Sequence, residues 1–171
     1  MKAEIAGLIE EIKQERHHRR AALLMQPPAS EEGLRQLRER AANILRYTLP
    51  EAYVELLGVV DGIDTNGFSL YASTAQPLAG HIGRPDYIIE GFVEANMLWR
   101  SYDPNTAFIF FAESGDIVYC HNLTINKFQV MDRIAQEPDS EADIFETFEE
   151  LLEKLLNHML NRYDVEEEAD A

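Results

Sequence analysis

The sequence predicts an α+β fold: N-terminal helices, a central, mainly antiparallel sheet, and a long C-terminal helix packed on that sheet. Three observations predict it. Apolar residues recur at helical spacing through the first 60 residues, short β-prone runs cluster between residues 68 and 131, and a long amphipathic stripe closes the chain. Grouped rather than alternating strands indicate α+β. The short turns between them favour antiparallel neighbours, because parallel pairing needs a long crossover.

The first helix is expected over residues 2–25. Ile5, Leu8, Ile9 and Ile12 share one face of a 3.6-residue period, opposite Glu4, Glu10, Glu11 and Lys13. Pro27-Pro28 stops it. A second helix follows from about Ser30 to Arg46. Ser30 suits an N-cap, Glu31 and Glu32 suit the first turn, and Leu34, Leu37, Ala41, Ile44 and Leu45 form its stripe. A third opens at Thr48-Leu49-Pro50-Glu51, where Thr48 and Glu51 have capping-box spacing. It buries Tyr53, Leu56, Leu57 and Val60 and ends at Asp61-Gly62.

Asn66-Gly67 is a turn dipeptide ahead of a strand at Phe68-Ser69-Leu70-Tyr71. Residues 74–86, with two prolines and two glycines, are expected to be loop, Tyr87-Ile88-Ile89 a strand, and Phe92 to Arg100 a short helix. Strands follow at Phe108 to Ala112, Ile117 to His121 and Lys127 to Met131. The last helix is expected from an N-cap at Ser140, with Ile144, Phe145, Phe148, Leu151, Leu152, Leu155, Leu156, Met159, Leu160 and Tyr163 as its apolar stripe. The pattern describes one domain over residues 1–163, with 1–47 as a helical N-terminal extension and 164–171 as an acidic flexible tail.

Composition narrows the function. The net charge is −16, from 31 acidic and 15 basic residues. Residues 1–47 hold 9 basic and 7 acidic residues, leaving 6 and 24 in residues 48–171, a balance of −18. Such a field repels phosphate backbones, arguing against nucleic acid, and attracts a basic partner. No apolar run approaches the roughly 20 residues of a membrane span. Cys120 is the single cysteine, so no internal disulfide forms and a cytoplasmic home is expected.

Catalytic and metal-binding motifs are sparse in the sequence. Aligning Gly67 with the invariant glycine of an EF-hand puts Gly62 and Ser73 where acids are needed. One cysteine and five histidines lack structural zinc spacing, and no cofactor is expected. No nucleophile elbow or phosphate loop is present, and Glu113-Ser114-Gly115-Asp116 is accounted for as a polar hairpin turn. The candidate surfaces are of another kind. Glu146, Glu149, Glu150 and Glu153 line the polar face of the last helix, either as a solvated face or as a plug for a basic cleft. Trp99, Arg100 and Tyr102 are residue types enriched at interface hot spots, although Trp99 also suits a core position.

The stretch Leu49-Pro50-Glu51-Ala52-Tyr53-Val54-Glu55-Leu56-Leu57, then Asp61-Gly62 and Phe68-Ser69-Leu70-Tyr71, resembles the SUKH superfamily of Smi/Knr-like proteins. Asp-Gly stands where many members have Asn-Gly. The late strand Phe128-Gln129-Val130-Met131-Asp132 and the helix near Phe145-Glu146-Thr147-Phe148 continue the likeness, which covers about residues 40–160. Glu90-Gly91-Phe92 and Asn96 through Trp99-Arg100 are most similar to the YrhA-like branch. The resemblance implies an α+β domain without catalytic residues, acting as an immunity protein that binds a cognate toxin directly. A regulatory or scaffolding module with a cellular partner is the alternative, and a carboxylate-dependent hydrolase a third class.

Overall fold

The computed structural model of the chain describes residues 1–18, 24–77 and 87–163. Helix α1 (Ala3–His18) buries Ile5, Leu8, Ile9 and Ile12, the stripe read from the sequence. The expected continuation to residue 25 does not occur, because Leu24–Met25 form a strand, β1. Pro27 biases the chain before it towards extended backbone, and Gln26 N–H donates to the Gly62 carbonyl at 3.1 Å. Residues 1–47 therefore carry a strand of the sheet as well as helices, and their apolar side chains join the common core.

Helix α2 (Glu31–Arg40) starts as expected, with Ser30 Oγ accepting from Gly33 N–H at 3.0 Å. It continues into a π-helical turn, Ala41–Leu45, stopped by Arg46 at φ 55°. Helix α3 (Glu51–Leu57) is capped by Pro50 without a side-chain hydrogen bond. Thr48 stands two residues too early to cap it, which corrects the capping-box expectation. The helix also ends at Leu57, ahead of Asp61-Gly62.

Strands β2 (Ile63–Thr65) and β3 (Phe68–Leu70) form a hairpin. Its two turn residues, Asn66 at φ 52° and Gly67 at φ 82°, have the left-handed backbone that a tight hairpin turn requires. Strand β2 is not expected from the sequence, because three residues with a single strong apolar side chain leave almost no pattern. Gly62, at φ 98°, is also required: a Cβ there would lie 2.5 Å from Ile89 Cδ1. Strands β4 (Gln76–Pro77) and β5 (Ile88–Ile89) pair as a separate ribbon, so the expected loop contains a strand. Residues 78–86 of that loop lie outside the described residues.

After α4 (Phe92–Trp99) and a 3₁₀ turn at Asp103–Ala107, the chain builds β6 (Phe108–Glu113), β7 (Ile117–Asn122) and β8 (Lys127–Asp132). Among the described residues the main sheet has seven strands, ordered β1-β2-β3-β6-β7-β8-β9 with β9 at Ile144–Phe145, antiparallel throughout.

The end of the chain departs from expectation. Ser140 caps only a short 3₁₀ turn, Glu141–Asp143, and Ile144–Phe145 form edge strand β9 against Phe128 and Gln129. Helix α5 (Phe148–Met159) begins later, at a complete capping box between Thr147 and Glu150. Ile144 and Phe145 fit the helical period, but the box downstream satisfies the orphan N–H groups, and β-prone residues pair well at a sheet edge. As expected, α5 packs on the sheet, and it also packs against α1 and α3. The core centres on Phe111, at a register shift in β6, whose ring meets those of Tyr47, Tyr53, Phe92, Phe128 and Phe148. The expected acidic tail, 164–171, lies outside the described residues. No helix among the described residues is long and apolar enough to cross a membrane.

Candidate functional site

The site is built on Asn96, in the middle of α4. Strand β3 stops at Leu70, so β6 loses its neighbour beyond Phe111. Asn96 takes over: its Oδ1 accepts from Phe110 N–H at 2.8 Å and its Nδ2 donates to the Phe110 carbonyl at 2.8 Å. Asn96 is fully buried, so these bonds satisfy backbone groups that water does not reach. The anchor sets Trp99, one turn on, flat against Phe110, with ring centres 4.9 Å apart and planes 20° apart.

Trp99 is half-buried, and its remaining edges are used. The indole Nε1–H donates to the Tyr71 hydroxyl at 2.8 Å. The Tyr71 hydroxyl lines the same cleft as the Glu113 carboxylate and lowers its pKa. Arg133 closes the ring of contacts: its guanidinium lies 4.8 Å from the centre of the Trp99 ring and 3.9 Å from Glu113. Burial pushes the Glu113 carboxyl above the usual carboxylate range, against the opposing pull of Arg133 and Tyr71. Burial likewise pushes the Tyr71 phenol well up, so it stays a neutral hydrogen-bond donor.

These groups line a cleft of about 370 Å³, shared with Glu90, Leu98, Tyr102 and Asn105. A second hollow of about 500 Å³ continues past Trp99 and Tyr102 to Asp116, Asp132 and Ile134. The far wall is the turn after β8. Asp132 Oδ1 accepts from the N–H groups of Ile134 and Ala135 at 2.7 and 2.6 Å, which also holds its carboxyl below the usual range. That turn leaves Ile134 91% exposed; along the same groove Leu98 is 77% and Tyr102 62% exposed. The groove thus combines an apolar rim with the carboxylates of Glu90, Glu113, Asp116 and Asp132, against, among the described residues, the one cation Arg133.

Two of the three candidates in segment 99–102, Trp99 and Tyr102, line this groove. Arg100 does not. Its guanidinium turns away, donating to the carbonyls of Thr106 at 3.0 Å and Leu45 at 3.4 Å, where it closes the end of the π-turn. Partial burial lowers its pKa from the ordinary arginine value.

The acidic candidates stand apart from the groove. Glu146 precedes the Thr147 cap, so it lies outside helix α5, contrary to expectation, and it is paired with Lys127. Glu150 accepts from the N–H groups of Thr147 at 2.9 Å and Glu146 at 3.0 Å, which hold its carboxyl below the usual range and commit it to the cap. Glu149 and Glu153 are the two that lie on α5 with no part in the cap, the first half-exposed and the second exposed. Lys127 opens β8 and Arg133 follows its last residue, and six strand residues at about 3.4 Å each put the two clusters roughly 20 Å apart.

Tyr71, Leu98, Glu113, Arg133 and Ile134 were missed by sequence reasoning. Glu113 reads as part of a polar hairpin turn, and Arg133 and Ile134 carry no local pattern. A lone exposed isoleucine after a strand was the one available signal. Among the described residues no cluster of histidine, cysteine, aspartate or glutamate is arranged to hold a metal ion. Cys120 is buried, and that burial pushes its thiol well up, away from the reactive thiolate. Compared with known proteins, the chain matches no family model. No curated protein sequence matches it.

Proposed function

We propose that this chain is a non-catalytic protein-binding domain, of the kind that neutralises a basic toxin domain by direct contact, and that the groove beside Trp99 is where it docks. The observation that carries the reading is the exposed apolar rim of Leu98, Tyr102 and Ile134 around a half-buried tryptophan. Large apolar side chains gathered at one rigidly built cleft mark interaction surfaces, and half-buried tryptophan and tyrosine are favoured anchors there. Charge chooses the partner. Among the described residues four carboxylates face one arginine in the groove, on a chain of net charge −16, so a basic protein is drawn in and a nucleic acid repelled. The resemblance to SUKH proteins supports the same class of function.

Glu149 and Glu153 on α5 add long-range attraction rather than a second docking site, since Glu146 and Glu150 already serve internal contacts. The test is capture from the native host with the tagged chain at low and high salt. The proposal expects one stoichiometric basic protein that is toxic when expressed alone, is released at high salt, and is not captured by the Leu98→Asp, Ile134→Asp double variant. Capture unchanged by that variant contradicts the assignment of the groove. A captured partner that is acidic or harmless contradicts the toxin reading.

A further inference from the structure

The strongest unexplained feature of the groove is that it already contains a cation. Trp99 offers a ring face, Glu113 a partly desolvated carboxylate, and the Tyr71 hydroxyl, which receives the indole N–H, lines the same cleft. An aromatic face beside a carboxylate is a receptor for a guanidinium. Arg133 occupies it without a close ion pair: it lies 4.8 Å from the ring centre and 3.9 Å from Glu113, and its Nη1 is 3.3 Å from the Ser114 carbonyl. Its side chain keeps 42% of its surface in water. A built-in arginine held by a short bidentate pair would be part of the scaffold. One held this loosely, from a turn at the groove wall, is an occupant that can be exchanged.

We propose that Trp99, Tyr71 and Glu113 form an arginine-recognition subsite, with Arg133 as its internal placeholder, and that a docking partner inserts an arginine side chain in its stead. The proposal rests on the docking reading for its biological meaning, but its chemistry is a property of this chain alone. The rim explains what should flank the inserted arginine. Leu98 and Tyr102 stand on one side and Ile134 on the other, so apolar neighbours along the partner segment complete the fit. Swinging Arg133 out costs little solvation, because it is already half in water, and places its charge on the groove wall beside Asp116 and Asp132.

Trp99 is the only tryptophan of the chain, so its fluorescence reports on the subsite directly. The probes are acetyl-Leu-Arg-Leu-amide and its neutral counterpart acetyl-Leu-Gln-Leu-amide, titrated into the wild type, Arg133→Ala and Arg133→Gln. Emptying the subsite removes an internal competitor, so both variants should bind the arginine probe about tenfold more tightly than the wild type, with no comparable gain for the glutamine probe. Adding Glu113→Gln to Arg133→Ala should erase that gain. The proposal is overturned if removing Arg133 leaves arginine binding unchanged, or if both probes gain alike. Arg133→Gln keeps much of the side-chain stem, so agreement between the two variants separates loss of the charge from local collapse. No partner protein enters the titration. Its failure with the rim-dependent capture intact removes only the arginine subsite, whereas its success with that capture absent removes only the docking reading.

Discussion

Asn96 holds Phe110 by both of its backbone groups, accepting from the N–H and donating to the carbonyl at 2.8 Å each. A side chain on a helix here does the work of a missing strand residue, and it fixes the floor on which Trp99 lies. Replacing Asn96 with alanine leaves a buried N–H and a buried carbonyl without partners. The expected cost is about 2–4 kcal/mol, read from urea unfolding, with a red shift of Trp99 emission as α4 loosens. A loss below about 0.5 kcal/mol, the range of ordinary surface substitutions, would contradict this role.

The capping box of α5 makes a second prediction. Thr147 Oγ1 accepts from Glu150 N–H at 3.3 Å, and Glu150 reaches back to the Thr147 N–H. Thr147→Ala should lower stability by about 0.5–2 kcal/mol. Ser140→Ala should cost little, because its side chain caps only a three-residue turn. Equal losses at the two positions, measured by thermal unfolding, would restore the longer helix expected from the sequence.

His121 supplies a pH dependence. Its ring stacks on Phe128, Nδ1 meets the Tyr47 hydroxyl at 2.8 Å and Nε2 meets Asn126 Oδ1 at 2.9 Å, an arrangement that suits the neutral imidazole. Partial burial lowers its pKa below the ordinary 6.5, against the raising effect of Asn126. The unfolded chain therefore binds more protons there than the folded one. The stabilisation is complete above pH 6.5 and is lost as pH falls through the lowered folded value. Between pH 7.5 and pH 5, the wild type should lose more stability than His121→Gln, each measured by urea unfolding. Parallel losses would contradict the assignment.

Much of this architecture was legible in the sequence because periodicity and turn chemistry agreed. The stripes of α1 and α5, the Ser30 cap, the Asn66-Gly67 turn and the central strands all show it. What escaped was short or ambiguous. Ile63–Thr65 and Leu24–Met25 are strands only because neighbours complete them, and Ile144-Phe145 suits helix and sheet equally by spacing. The site was half visible. Trp99 and Tyr102 stood out by residue type, but Tyr71, Glu113 and Arg133 come from three separate elements, and only the antiparallel sheet brings them together. Arg100 shows the reverse case: the right residue type in the right segment, turned to a structural task by two backbone carbonyls.

The most direct test of the docking account compares the affinity of the purified partner for three forms of the chain: the wild type, Leu98→Asp with Ile134→Asp, and Glu149→Gln with Glu153→Gln. All four positions lie at the surface, so folding should be preserved, which circular dichroism checks. The account predicts that the rim pair weakens binding by at least about a hundredfold, as removal of central hot spots does. The helix pair should change mainly the association rate and its salt dependence. Full affinity in the rim variant, with binding lost in the helix variant, would move the interface to α5 and contradict the groove as the docking site.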